Sequence, residues 1–333
     1  RPPSSRLPLT LTRKRNGLPS SQLPLPLTCW HDQSPEFVPD LRSYIVLNTV
    51  TSTIGGIAID PIDFNIKTDM DSYCWQGGIK ISDSQYQKVK AKLDVARGNE
   101  PLVIVVVNGV SYSFIAEEIS RNRVFGNYSY SISGRSSTSH LGKDYAHSQG
   151  GTINQDLYAS QIINMQLADL PFTLDRFEVK DWLIPAGTFN VSNQSPIGII
   201  HQLATACGGI LVSDPLNAKL SIYPKWKKPA WELATVTADL VVPMGVVQSI
   251  SDQKRVNPRY NTTLLIGRTE ASEVYRKLQG RNLIAPVDNS VLYTDRDCVV
   301  PKGIQLLSDS GTHGLYTLKI RVADKYNMPL VEL

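Results

Sequence analysis

The chain has 333 residues, 41% of them apolar and 19% charged, with 34 Lys and Arg against 30 Asp and Glu. That is material for two or three packed domains and too much for one ordinary core. The +4 excess is uneven. Arg1, Arg6, Arg13, Lys14 and Arg15 stand in the first 30 residues without any acid, and the other 303 residues carry 29 bases against 30 acids. Such a body argues against a nucleic-acid-binding domain with a broad basic face, and no apolar run approaches the roughly 20 residues of a membrane helix.

Residues 1–32 read as an extended arm. Pro3–Thr12 (PSSRLPLTLT) returns 16 residues later as Pro19–Thr28 (PSSQLPLPLT), identical at eight of ten positions. In each copy three leucines alternate, Leu7, Leu9, Leu11 and then Leu23, Leu25, Leu27, which gives an extended segment one apolar edge. The prolines allow polyproline II or edge-strand geometry and forbid a helical signal-peptide core. A segment of this kind cannot bury itself. It reads as an arm docked on a neighbour, with the leucines and Arg13, Lys14 and Arg15 at a subunit contact. A chain beginning at Arg and ending at Leu333 is expected to be a piece of a longer polypeptide.

From Tyr44 the pattern is β. Tyr44–Thr51, Ile57–Ile66 and Ser72–Ile81 read as strands, with a turn at Gly55-Gly56. Asp83–Ala96 has helical spacing with Asp83 or Ser84 as N-cap. Leu102–Asn108 and Val110–Ala116 flank Asn108-Gly109, a strong hairpin signal. Asn122–Phe125 and Tyr128–Ser133 flank Gly126-Asn127. These hairpins predict a small barrel or sandwich over 33–135. Ser136–Gly151 is loop-like. Ile153–Leu167 and Pro196–Cys207 read as helices, the second with Ser195 as N-cap, Pro196 at N1 and Gly208-Gly209 behind it. Ile210–Ser213, Asp214-Pro215 and Lys219–Tyr223 form a hairpin, giving an α+β domain over 136–245. From 246 to 333 the pattern is β again (Val247–Ser251, Tyr260–Gly267, Asn289–Tyr293, Leu315–Val322), a second β domain expected to be incomplete.

No constellation of residues converges on chemistry. Asp60, Asp63, Asp69 and Asp71 lack calcium-loop spacing and read as turn residues. Cys29, Cys74, Cys207 and Cys298 are too far apart for zinc or CxxC chemistry and read as buried or reduced thiols. His140 and His147 lie near Asp144, Ser136 and Ser139 without a GxSxG elbow or HExxH motif. His201 reads as a packing residue. Lys225–Trp231 (KWKKPAW) mixes bases and aromatics but is short and Pro-bounded. The sequons at Asn127, Asn190, Asn193 and Asn261 carry little weight without a secretory signal.

Several segments together resemble the hub proteins of bacteriophage tails, those of long non-contractile tails in particular. Asp69–Trp75 (DMDSYCW), with Asp71 and Trp75, resembles the family's acidic D-x-D-S-x-x-W strand. Phe114–Gly126 (FIAEEISRNRVFG), followed by Gly134-Arg135-Ser136, is similar to its EE-x-x-R-x-R-x-F-G … G-R-S run. Asp181–Gly187 (DWLIPAG), with Trp182 and Pro185, resembles a D-W-L-V-P-A-G element. Pro196–Trp231, including Gly208, Gly209, Pro224 and Trp231, resembles the piece that follows. The shared order covers most of residues 1–310.

The resemblance implies two barrels related to the tail-tube subunit, flanking an α/β domain and preceded by the Pro-rich arm. It also implies a homotrimer adapting the sixfold tube to a threefold tip. The implied partners are the distal tail tube or distal tail protein, a tip spike or central fibre, the tape measure protein and viral DNA in transit. The implied place is the virion tail tip or baseplate, after assembly in the host cytoplasm. No catalytic residue, cofactor or metal is expected, and the cysteine spacing matches no iron–sulfur site. The rival readings are a tail-associated cell-wall hydrolase, and a receptor- or glycan-binding module anchored by Trp226 and Trp231.

Overall fold

The computed structural model describes residues 48–237, 247–268, 270–276 and 280–320. The repeat arm, with Leu7 to Leu27, Arg13, Lys14, Arg15, Cys29 and His31, lies outside them, as does the start of the strand expected at Tyr44. The chain divides into two compact units, one of which holds Thr49–Val236 and Lys254–Gly314.

That unit opens with β1 (Val50–Ile54), β2 (Ile57–Ile59), β3 (Pro61–Lys67) and β4 (Gln76–Ser82). The single strand expected over Ile57–Ile66 breaks at Asp60, so β2 and β3 join different sheets. α1 (Asp83–Leu93) follows β4 without a loop. Ser82, the last strand residue, is its N-cap in place of Asp83 or Ser84, accepting from the Gln85 amide at 3.4 Å. β5 (Leu102–Val107) and β6 (Val110–Ile115) turn at Asn108-Gly109, both at positive φ (50° and 84°), the mirror-image turn that matches strand twist. β7 (Glu118–Val124) and β8 (Asn127–Arg135) complete two four-stranded sheets, ordered β2-β1-β5-β6 and β3-β4-β8-β7. Alternate residues of the sheets point inward (Ile79 and Ile81 of β4, Val103 and Val105 of β5) and close one core with Val89 of α1.

The next segment is more ordered than its Ser/Gly content suggests. Ser137–Leu141 is a 3₁₀ turn, and Gln149–Thr152 is β9. β10 (Leu157–Tyr158) precedes α2, which covers Ala159–Leu167 only. Its expected first turn is occupied by β10, which pairs with β12 (Leu183–Ile184). β11 (Thr173–Phe177), β13 (Asn190–Gln194), α3 (Pro196–Ala206), β14 (Gly209–Ser213) and β15 (Lys219–Pro224) follow. β11 runs parallel to β15 and β14 antiparallel to it. α3 is apolar nearly all round and is correspondingly buried, Ile199, Ile200 and Leu203 completely.

Beyond residue 246 come β16 (Val247–Arg255), β17 (Thr262–Ile266), β18 (Ala271–Tyr275), β19 (Asp288–Asn289), α4 (Arg296–Ser308) and β20 (His313–Ile320). The purely β pattern expected here is corrected by α4. Asp295 caps this helix through the Asp297 amide at 2.7 Å, and Cys298, Val299 and Leu307 are fully buried. The strand expected over Asn289–Tyr293 is only the two residues of β19. β17 pairs antiparallel with β18 and parallel with β19. A single core runs from Leu141 through α2, α3 and the β11-β15-β14 sheet to Leu265, Val274 and Leu307. The other unit, as far as it is described, is the two-stranded sheet of β16 and β20, its residues exposed almost throughout.

Candidate functional site

The motif residues sit where elements cross. Trp75 donates its indole N–H to the Ser213 carbonyl at 2.9 Å, and its ring lies 5.8 Å from that of Tyr112. Beside it Ser113 donates its amide to the Pro215 carbonyl at 2.8 Å. The Asp214–Asn217 turn is held for this contact by Asp214 Oδ1, which accepts from the Leu216 and Asn217 amides at 2.9 and 2.6 Å. One layer further in, Gly77 and Gly134 face each other across the β4–β8 ladder. A Cβ on Gly134 would stand 1.8 Å from the Ile115 carbonyl oxygen, and one on Gly77 would stand 2.1 Å from the Phe114 ring. The missing side chains let β6 cross this sheet at backbone distance. Asp71 is an exposed turn residue whose amide bonds Asp69 Oδ1 at 3.0 Å.

Two charged members of the FIAEEISRNRVFG … GRS run, Glu117 and Arg135, meet in space. Arg135 grips Glu117 with Nε (3.0 Å to Oε2) and Nη2 (2.7 Å to Oε1), and also bonds Asp144 at 2.9 Å. Tyr145 donates to Glu117 Oε1 at 3.0 Å. Burial pushes the Glu117 carboxyl up, but the bonds from Arg135 and Tyr145 outweigh it and leave its pKa below the ordinary value. Burial and the neighbouring Glu117 raise the Tyr145 hydroxyl, which stays a donor.

In the DWLIPAG segment Asp181 Oδ1 accepts from the Ser160 amide at 3.1 Å, satisfying a free N–H in the first turn of α2 from outside the helix. Trp182 is 1% exposed and donates to the Leu292 carbonyl at 3.1 Å. The Pro185 carbonyl closes a turn onto the Thr188 amide. Gly208 follows α3 at φ 73°, against the backbone of Pro301 and Lys302 in α4. Gly209 pairs with Pro224 in the β14–β15 ladder. The Lys225–Trp231 run turns inward. Lys225 Nζ and Trp226 Nε1 both bond the Asp309 carboxylate (2.9 and 2.8 Å), and Trp231 lies under the Arg276 guanidinium at 4.7 Å. These tryptophans are half-buried anchors, not the exposed platform that a glycan-binding reading needs.

Among the described residues no hydrogen bond joins Ser136, His140 and Asp144, which were considered for nucleophilic chemistry. Ser136 Oγ is engaged by the Trp75 amide and Thr138, Asp144 by Arg135 and Arg97, and His140 packs edge-on against Tyr145. His201 is corrected from a packing residue to an exposed one on α3. Cys74, Cys207 and Cys298 are buried free thiols, and burial raises all three, Cys207 to about 12.

Two features escaped the sequence reading. β7 is an edge strand exposed along its whole length, and beyond it Phe125 at the hairpin apex is fully exposed beside Val124. A cavity of about 570 Å³ opens beside the N-terminal half of α3, lined by Ser195, Gly198, His201 and Gln202 together with Lys143, Asp288 and Lys302. Lys302 sits in α4 amid helix breakers, Pro301 and Gly303, so no sequence pattern marks it.

No protein-family model and no curated sequence matches this chain. Solved structures do. A 43 kDa tail protein of prophage MuSo2 from Shewanella oneidensis aligns at TM-score 0.55 and 14% identity, over 84% of each chain. The tail protein from Neisseria meningitidis aligns at TM-score 0.53 and 10% identity, over 78% of this chain and 74% of that one. At such identities the likeness speaks to architecture. The chain therefore has the β-rich α+β fold of phage tail proteins.

Proposed function

We propose that the chain is a structural hub of a phage tail tip or baseplate, working by assembly and not by catalysis. In this reading residues 33–135 form the first tube-protein-like barrel, residues 136–245 the α/β domain, and residues 246–333 contribute the second barrel. Three copies would adapt a sixfold tube to a threefold tip. Their partners would be the distal tail protein and a spike or central fibre, with tape measure protein and DNA passing through. The observation that carries the reading is the bare edge of β7 with Phe125 at its apex. Natural sheets blunt or cover such edges, and here the cover would be a neighbouring subunit. The repeat arm, with its alternating leucines, would add a second contact of the same kind. Among the described residues no helix is long and apolar enough to cross a membrane.

The test is the solution mass. Light scattering across a concentration series is expected to approach three times 36.9 kDa. A chain that stays monomeric at the highest concentration overturns the hub.

A further inference from the structure

We infer that the bare edge of β7 receives the leucine repeat Pro19–Thr28 of a neighbouring copy as an added β-strand. The inference rests on the reading that a neighbouring subunit covers this edge, and it joins the edge and the arm into one contact. β7 is exposed along its length and pairs with β8 without a register break. The opposite edge of the sheet, β3, begins at Pro61 and shifts register before Asp63. In an antiparallel ladder only alternate residues of an edge strand bond inward, so the intervening N–H and C=O groups of β7 face outward. They are a template for one more strand. Ile119 stands opposite Ile132, which is fully buried, yet Ile119 itself is 38% exposed. The core face of the sheet thus continues past β8 and stops uncovered at β7. A strand added here has to bring apolar side chains on one face and N–H groups on one side.

The repeat meets both demands, and its prolines say which side pairs. In an extended strand the N–H and C=O of one residue point to one side and those of the next residue to the other. Added as a strand, Leu23, Leu25 and Leu27 would turn their side chains to one face and their amides to one side. The prolines among them, Pro24 and Pro26, stand at the intervening positions, as Pro8 does between Leu7 and Leu9. A missing N–H there faces away from the host strand and costs no ladder bond. Pro3 and Pro19 lie four residues ahead of the first leucine, before the pairing segment. The one difference between the copies inside the leucine segment, Thr10 against Pro26, is again at an outward position. Such a segment extends a sheet by one strand and then ends it, because proline blunts its outer side.

Charge chooses between the two copies of the repeat. β7 carries Arg121 and Arg123 against Glu118 alone. The first copy holds Arg6 and runs on into Arg13, Lys14 and Arg15, whereas residues 16–30 carry no charge at all. Like charges on neighbouring strands oppose pairing. Pro19–Thr28, with Gln22 in the place of Arg6, is therefore the occupant.

The experiment is amide hydrogen exchange over Glu118–Val124 in the full chain, with light scattering on the same samples. In the parent, slow exchange of the outward amides is expected to accompany the trimer mass and to vanish on dilution to monomer. Leu9→Pro/Leu25→Pro, which removes a host-facing N–H from each copy, should speed that exchange at least about tenfold. Thr10→Pro/Gln22→Pro, which puts the same residue at outward positions, should leave it within about twofold. A parent trimer whose β7 exchanges freely overturns the added strand and leaves the hub standing. So does protection that persists in the Leu9→Pro/Leu25→Pro trimer, or equal loss in the two proline pairs. Protection that persists in a monomer assigns the cover to the chain itself and overturns the strand from a neighbour. A parent that is monomeric at every concentration, with β7 exchanging freely, removes the hub and the strand together.

Discussion

The indole N–H of Trp75 reaches the carbonyl of Ser213, 138 residues away, at 2.9 Å. This bond ties the first pair of sheets to the β14–β15 turn, and it explains why a tryptophan closes the DMDSYCW segment. Phe would keep much of the packing on Tyr112 but leave a part-buried carbonyl unsatisfied. Trp75→Phe is therefore expected to cost about 1–2 kcal/mol. Urea unfolding measures the loss, and hydrogen exchange should quicken around Asp214–Asn217 and leave α2 unchanged.

Two glycines of one motif separate two kinds of glycine requirement. At Gly134 a Cβ collides with the Ile115 carbonyl, while at Gly126 nothing lies within 4 Å and only the positive φ of 76° is at stake. Gly134→Ala should cost about 3 kcal/mol or more, through displacement of β6. Gly126→Ala should cost about 1 kcal/mol. Thermal unfolding of the two variants, compared at their midpoints, checks the order; equal losses contradict the close approach of β6 and β8.

The Glu117–Arg135 pair sets an acid limit on stability. The folded Glu117 carboxyl titrates below its ordinary value of 4.5, so its contribution is complete above the unfolded pKa and is lost as pH falls through the lowered folded one. Stability should thus decline from about pH 5 downward. Glu117→Gln should flatten that slope while costing about 1–2 kcal/mol at neutral pH. Chemical denaturation at a series of pH values reads both effects.

Lys302 is held in the charged form at a cost. Burial lowers its pKa, and Asp288 and Asp309 only partly oppose that. A flexible apolar chain of similar length removes the penalty, so Lys302→Met is expected to be neutral or stabilising by about 1 kcal/mol. A marked loss of stability on calorimetry would mean that the ammonium is satisfied inside the fold.

Phe125 touches nothing that stabilises its own subunit. Phe125→Asp should leave the unfolding midpoint within about 0.5 kcal/mol of the parent. It should nevertheless shift the mass distribution toward monomer by light scattering. A change of the opposite kind, in stability without assembly, would place the apex inside the subunit.

Much of the local structure was legible because it is decided within a few residues. Asn108-Gly109 demanded a mirror-image turn whatever surrounded it. Ser195-Pro196 and Gly208-Gly209 bracketed α3 because cap chemistry belongs to the helix ends. Boundaries failed where partners chose them: α2 begins only at Ala159, because Leu157 and Tyr158 pair with Ile184 and Leu183. The acid–base grip of Glu117 and Arg135 was present as letters of one motif, but nothing in their spacing of 18 residues said that they touch.

Read alone, the residues were enough for the β-rich α+β class, the hairpins, the caps of α3 and the likeness to tail proteins. The class, the hairpins and the caps rest on φ preferences and on periods of 2 and 3.6, and the likeness rests on the shared order of the motifs. α4, by contrast, exists through its packing. Pro301, Gly303 and two adjacent valines make Arg296–Ser308 a poor helix in isolation. It persists because Gly303 lets β18 approach, a Cβ there lying 2.6 Å from a Val274 methyl, and because Cys298, Val299 and Leu307 close the core begun at Leu141. That packing is also what draws Lys302 out of water and builds the cavity above it. The energy that holds the helix is burial against β17, β18 and α3, from Val274 beside Gly303 to Ala206 beside Cys298, 92 positions away, and no local pattern carries it.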